Sequence, residues 1–307
     1  MKLSGFPLLI LGTALLFSAC QNKQESNDSG SSLTKGTADL VVDESLAPIV
    51  EDQKYVFEST YTEGKLNLIN RPENEVLRLF LSDSARVAIL SRELTMVEAK
   101  YYESKKIRLL VNRFALDGIA LITHQSNPDS LVTIAEIIAV MQGKEGEIDR
   151  LIFDNANSST VRYMKELAGI KELPAKGVYA LKTNQDVIRY VNESPGTIGV
   201  VGINWIVQPD EDMEEIVGRL KIMGVKNIAG KPGSDGYYRP NQNDLATGNY
   251  PLTRNLYIIN AEGRSGLGTG FASFLAGERG QRIVLKSGLL PDSIPPRQII
   301  IKKNLNN

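Results

Sequence analysis

Polar and apolar positions divide the chain into distinct stretches. Leu8 to Phe17 is apolar except for Gly12 and Thr13. Residues 21–36 are almost devoid of apolar side chains, with Leu33 the exception. From Asp39 onward, short aliphatic runs alternate with segments of helical period. Asp39 to Val42, Leu66 to Asn70, Val87 to Leu90, Ile107 to Val111, Ile119 to Thr123, Leu151 to Phe153, Thr197 to Val201 and Leu256 to Asn260 are predicted strands. Leu46 to Thr60, Pro72 to Leu81, a segment opened by Thr95, Thr133 to Met141, Ser158 to Leu167 and Asp186 to Val191 are predicted helices. Ser45 is the expected N-cap of the first helix, with Pro48 in its opening turn. Thr95 and Glu98 form a capping box. A last helix is expected to start at Phe271 to Ala276 and to continue through Arg282 to Leu285. Strand–helix alternation with crossovers predicts an α/β fold with a largely parallel sheet.

The apolar stretch at the start has a secretory layout. Lys2 precedes it, and Ser18, Ala19 and Cys20 follow. It falls short of the roughly 20 apolar residues that a spanning helix needs. Residues 1–19 are therefore expected to be a signal peptide. Phe17-Ser18-Ala19-Cys20 resembles a bacterial lipobox, with Phe17 in place of the usual Leu. That resemblance implies cleavage before Cys20 and lipidation of Cys20. The alternative is an ordinary signal peptide with an incidental cysteine. Cys20 is the only cysteine in the chain, so no disulfide forms within one copy. Residues 20–36 then serve as a flexible polar tether, too poor in apolar surface to fold. This places the protein in the periplasm or at the cell surface, held to a membrane by lipid.

Charge and composition exclude several functions. Lysine and arginine total 35 against 36 aspartates and glutamates, which leaves no basic footprint for nucleic acid. His124 is the only histidine, so an ordinary zinc or haem site is not expected. No nucleotide-binding P-loop and no nucleophile elbow occur. Gly263 to Gly270 is glycine-rich but lacks dinucleotide spacing, and is expected to be a turn packed closely as it enters a helix. Carboxylate pairs are plentiful, so a hydrolase of the glycosidase type stays open as a third reading.

The positive signal is Phe153-Asp-Asn-Ala-Asn-Ser-Ser-Thr-Val-Arg162. An apolar strand runs through a small polar loop into a helix, which sets Ser158, Ser159 and Thr160 at a helix N-terminus. Free N–H groups and the helix dipole favour an anion there. Simple capping by Asn157 or Ser158 accounts for the same residues without a ligand. Two further strand-to-helix turns accompany it: Asp43 to Pro48, with Ser45, and Ile89 to Thr95, with Ser91 and Arg92. In open parallel sheets ligands bind at the carboxyl ends of strands, so these turns are expected to converge on one cleft.

Taken in order, Asp43 to Pro48, Ala115-Leu-Asp-Gly-Ile-Ala-Leu121, Asn157-Ser-Ser-Thr-Val161, Thr197-Ile-Gly-Val-Val-Gly202, Tyr250-Pro-Leu-Thr-Arg-Asn-Leu-Tyr257, Gly280-Gln-Arg-Ile-Val284 and Gly288-Leu-Leu-Pro291 resemble the periplasmic phosphate-binding proteins of ABC importers. The resemblance implies a type II solute-binding fold, two α/β lobes closing on a ligand. Lobe 1 would comprise residues 37–117 and 252–307, and lobe 2 residues 118–251. It implies phosphate contacts from Ser45, Leu46, Ser158, Ser159 and Thr160. Two positions depart from the family. Asp154 stands where an arginine is common, and Arg92 where an aspartate is common after the strand ending at Leu90. If both face the cleft, Arg92 with Ser91 would grip the anion, and Asp154, Asp43 and Glu44 would be candidate proton acceptors. Otherwise Arg92 and Asp154 are surface or salt-bridging residues. The resemblance further implies inorganic phosphate and an importer permease as partners, a monomer, and no cofactor, metal or catalytic residue. The alternative ligand is another oxyanion, bound in a sensing or scavenging role.

Overall fold

The computed structural model describes residues 32–263 and 265–293. The expected signal peptide, Cys20 and the tether as far as Ser31 lie outside the described residues, as does the stretch from residue 294.

The chain opens with β1 (Gly36–Asp43), a 3-10 turn (Glu44–Leu46) and α1 (Ala47–Thr60). Next come β2 (Gly64–Arg71), α2 (Glu73–Leu81), β3 (Val87–Leu90) and α3 (Met96–Ser104). The long strand β4 (Leu110–His124) leads to β5 (Leu131–Thr133), α4 (Ile134–Met141), β6 (Leu151–Phe153) and α5 (Ser159–Ala168). Then follow β7 (Val178–Ala180), α6 (Asn184–Glu193), β8 (Ile198–Gly202) and two short helices, α7 (Asn204–Val207) and α8 (Glu214–Val217). β9 (Leu220–Ile222), β10 (Gly224–Lys226) and α9 (Gln242–Ala246) precede the return strand β11 (Thr253–Asn260). The described chain closes with α10 (Leu267–Ala276), α11 (Glu278–Lys286) and β12 (Leu290–Pro291).

One sheet runs in the order β2-β1-β3-β11-β4-β8-β6-β7, with β9 and β12 also pairing with β4; β5 and β10 form a separate pair. β1 is parallel to β2 and β3, and β6 is parallel to β7 and β8. Each pairing that β4 or β11 makes is antiparallel. The predicted parallel sheet thus holds at the two ends, and an antiparallel centre joins them. The two strands predicted at Ile107 to Val111 and Ile119 to Thr123 are one 15-residue strand. It does not break at the polar Asn112 and Arg113, because each is paired across to β11.

Side-chain alternation along the strands sets the layers. In β1, Leu40 and Val42 face a core with Phe57, Phe271 and Phe274, while Val41 faces the opposite core with Val76, Phe80 and Tyr102. In β4, Ala120 and Ile122 join the first core, and Ile119 and Leu121 join a third built around Ile137, Phe153 and Met164. Both faces are covered by helices, which is why these strands are nearly continuous apolar runs.

Two boundaries differ from expectation. The last predicted helix is two, α10 and α11, separated by Gly277 in extended backbone, φ −78° and ψ 167°. The N-cap of the first turn is Asp43, not Ser45: its side chain accepts the Ser45 N–H, and α1 starts only at Ala47. A carboxylate before a 3-10 turn reaches the N–H two residues on, and here it accepts the Ser45 hydroxyl as well.

Candidate functional site

β1 delivers Asp43 and Ser45 to the carboxyl edge of the sheet, both fully buried. Asp43 Oδ1 accepts the Ser45 N–H at 3.1 Å and the Ser45 hydroxyl at 3.0 Å. The Leu46 side chain turns into the core, so any role at the site falls to its backbone. From the other half of the sheet, β6 delivers Asp154 and α5 begins beside it. Ser158 caps α5, accepting the Val161 N–H at 3.3 Å. Asp154 Oδ1 accepts the Ser158 hydroxyl at 2.7 Å and the Thr160 hydroxyl at 2.6 Å. Asn184 Nδ2 donates to its other oxygen at 3.2 Å.

Ser159 is then the member of the Ser-Ser-Thr run that points elsewhere. Its Oγ lies 3.0 Å from Ser45 Oγ, 114 residues away in sequence. Two of the predicted strand-end turns therefore meet directly. Arg254 completes the junction. It sits opposite Asp117 in the β4–β11 register and donates Nε to Asp117 Oδ2 at 2.8 Å. Its Nη1 donates to Ser159 Oγ at 2.7 Å.

Arg254 and Asp117 are both essentially buried, at 2% and 0% side-chain exposure. Around them several polar atoms have no hydrogen-bond partner among the described residues: Asp43 Oδ2, Asp117 Oδ1, Arg254 Nη2, and both amide atoms of Asn204. Buried polar atoms are nearly always paired, so a concentration of unpaired ones at the converging strand ends marks a place built for something else to bind. The set includes both donors, Arg254 Nη2 and Asn204 Nδ2, and acceptors.

Electrostatics agree with this. Burial pushes Asp43 up to about 6, against the pull of Arg254. Burial, with Asp154 and Asp43 nearby, pushes Glu44 up to about 7. Burial also raises Asp117, although Arg254 pulls it down. The site therefore holds carboxyl groups that take protons near neutrality.

Ser91 and Arg92 belong to a neighbouring cluster. Arg92 makes a two-pronged contact with Glu98, 2.8 Å at each nitrogen, and its Nε is 3.6 Å from Glu73. Glu98 is held down to about 2 by the hydrogen bonds from Arg92. Glu73, 1% exposed, also receives Arg162 Nε at 2.6 Å and Nη2 at 3.0 Å. Arg162 Nη2 reaches Ser91 Oγ at 3.1 Å. Arg162 comes from α5 and Glu73 from α2, so this network ties the two ends of the sheet together beside the serine junction. Its charges are already matched by ion pairs, although Arg92 Nε, like Arg254 Nη2, has no hydrogen-bond partner among the described residues.

Sequence reasoning overlooked Arg254, Asp117 and Asn204. A signal was present for two of them: Asp117 and Asn204 are polar residues within otherwise apolar runs, and buried charges require partners. Arg254 and Asp117 are 137 residues apart, so only the strand pairing matches them. Among the described residues, no group of histidine, cysteine or carboxylate side chains is arranged to hold a metal ion. No described helix is long and apolar enough to cross a membrane.

Known proteins place the fold. No curated protein sequence matches the chain. A candidate phosphate ABC transporter substrate-binding protein from Clostridium perfringens, solved with bound phosphate, superposes with a TM-score of 0.69 at 19% identity, covering 84% of this chain and 100% of that one. An ABC-type phosphate transport receptor from Vibrio cholerae gives 0.61 at 18% identity, covering 82% and 99%. The CcmR regulatory domain from Synechocystis, in complex with 2-PG, gives 0.51 at 13% identity, covering 78% and 96%. At such identities the likeness speaks for a mixed α/β, periplasmic-binding-protein-like architecture. The family model described as a PBP superfamily domain matches residues 27–279, most of the chain, and the protein belongs to that superfamily.

Proposed function

We propose that this protein is an extracytoplasmic solute-binding protein, lipid-anchored through Cys20, that captures inorganic phosphate for an ABC importer permease. One observation carries the reading: Ser45 and Ser159 meet at 3.0 Å beside a buried Arg254 whose Nη2 has no partner among the described residues. A guanidinium prong, serine hydroxyls and the first turn of α5 form a donor set for a dehydrated oxyanion. The phosphate-linked descriptions of the Clostridium and Vibrio structures support the same ligand class.

In this reading Ser45, Ser159 and Arg254 contact the anion, with the Leu46 backbone and the turn bearing Ser158 and Thr160 around it. Asp154 orients those two hydroxyls. Asp43 and Glu44 accept a proton from the ligand, which disfavours fully deprotonated sulfate. Ser91 and Arg92 lie beyond, in the network that bridges α2 and α5. Lobes of residues 37–117 with 252–307, and 118–251, close on the ligand, with β4 and β11 as the crossing strands. The protein acts as a monomer, outside the cytoplasm, without catalysis. Isothermal titration with phosphate, sulfate and molybdate tests this. Micromolar or tighter phosphate binding with weak sulfate binding supports it; no phosphate binding removes it. The regulatory domain solved with 2-PG favours, as a second reading, a phosphorylated organic ligand in a sensing role. A thermal-shift screen of such anions separates the two.

A further inference from the structure

Among the described residues Asn204 is the polar residue least accounted for. It is 1% exposed, and neither its Nδ2 nor its Oδ1 has a hydrogen-bond partner among the described residues. Burying an amide without partners is costly, and a well-packed apolar residue would remove that cost. Whichever way the amide is turned, one donor and one acceptor are left open.

Its position is fixed from both sides. The preceding Ile203 donates its N–H to the Gly118 carbonyl at 2.9 Å, next to Asp117. The following Trp205 donates Nε1 to the Ser45 carbonyl at 3.0 Å. The β8–α7 turn is thereby pinned to β4 beside Asp117 and to the first turn that carries Ser45. Gly202 lies beneath the amide. A Cβ built there would fall 2.5 Å from Asn204 Oδ1, 3.3 Å from Arg254 Nη2 and 3.3 Å from the Ser45 carbonyl oxygen. Those atoms thus crowd around one point, and the absence of a side chain at residue 202 keeps that point open.

We propose that Asn204 is a ligand-contacting, specificity-determining residue of this site, recognising an oxyanion that presents a charged oxygen and a hydroxyl side by side. The open atoms are complementary to such an edge. Asn204 Nδ2 and Arg254 Nη2 donate to unprotonated oxygens; Asn204 Oδ1 accepts from an X–OH group. A ligand with acceptors only, such as sulfate, satisfies the donors and leaves Oδ1 facing a lone pair. This rests on the oxyanion reading above.

The test uses the full-length protein, titrated calorimetrically with inorganic phosphate and with sulfate, and melted without ligand. Asn204→Ala is expected to weaken phosphate binding roughly ten- to a hundredfold and to narrow the phosphate-to-sulfate ratio. The unliganded melting temperature should stay level or rise, because no hydrogen bond is lost. Gly202→Ala, which displaces the amide, should reproduce the affinity loss. Phosphate affinity within about twofold of wild type in Asn204→Ala overturns the proposal. So does a melting temperature that falls alongside affinity, the mark of a structural residue. If wild type binds no oxyanion, the functional reading fails as well; if wild type binds and the variants bind equally, only the role of Asn204 fails.

Discussion

Removing the Arg254 guanidinium separates what holds the fold from what binds the ligand. Arg254→Met keeps most of the side-chain volume and strands Asp117 in the interior, where it has 0% exposure. Breaking one side of a buried ion pair costs about 3–5 kcal/mol. For a domain of this size that is roughly 6–20 °C in melting temperature. The loss is bounded by proton uptake. Burial already raises Asp117, and without Arg254 it rises further, so the variant escapes part of the penalty by neutralising the carboxyl. A raised folded pKa contributes stability that is present at low pH and lost as pH rises. Arg254→Met is therefore expected to fall further behind wild type at pH 8 than at pH 5. Asp117→Leu with Arg254→Met replaces the whole pair by apolar side chains and should recover most of the stability. It should not recover phosphate binding. Urea unfolding of the wild type, the single variant and the double variant at both pH values measures the first part, and calorimetry the second. A single-variant cost below about 1 kcal/mol at both pH values would mean that the pair is solvated. A double variant that binds phosphate like wild type would mean that Arg254 is not the anion's partner.

Other outcomes follow from the same site. Burial and neighbouring carboxylates raise Glu44 from 4.5 to about 7, so its contribution is complete below pH 4.5 and lost as pH rises toward 7. The unliganded melting temperature should decline across that range, and Glu44→Gln should flatten the decline; an unchanged slope would contradict the assignment. Glu73→Ala removes the carboxylate shared by Arg162 and Arg92 and should cost about 2–3 kcal/mol in urea unfolding, a loss below 0.5 kcal/mol counting against the network. Trp205, the only tryptophan in the chain, donates to the Ser45 carbonyl, so its emission should change on saturation with phosphate. A silent titration under conditions where calorimetry detects binding would place the ligand away from Ser45.

The local parts of the site were legible in the sequence. Asp43 to Pro48 and Phe153 to Arg162 each show an apolar run, a small polar loop and a helical period, and both fold as strand–turn–helix units. The Thr95–Glu98 capping box forms as predicted, because both partners lie within one helical turn. What local pattern does not carry is pairing across the sheet. The Arg254–Asp117 pair depends on the register of β11 against β4, which includes a shift between Leu256 and Tyr257. Ser45's release from capping depends on the reach of the Asp43 carboxylate, a competition between neighbours that composition does not decide.

The hydroxyl protons show why the serine-rich turn alone does not make the site. Each hydroxyl has one proton to donate. Asp154 Oδ1 lies within 2.7 Å of Ser158 Oγ and Thr160 Oγ1, and Asp43 Oδ1 is 3.0 Å from Ser45 Oγ. With the carboxylates ionised, those protons point at them and not toward an incoming anion. Ser159 differs in accepting from Arg254 Nη1, but its own proton is engaged on the Ser45–Asp43 side of the junction. In the proposed site direct donation would therefore fall to Arg254 and Asn204, and recruiting the Ser45 and Ser159 hydroxyls would require Asp43 to give up its claim. Asp43 does so when it takes a proton, and it is raised to about 6. An anion that brings its own hydroxyl can supply that hydrogen bond to Asp43 Oδ2. One without a hydroxyl would meet the open carboxylate oxygen instead, so on the proposed reading the residue that organises the first turn would also sort the ligands that reach it.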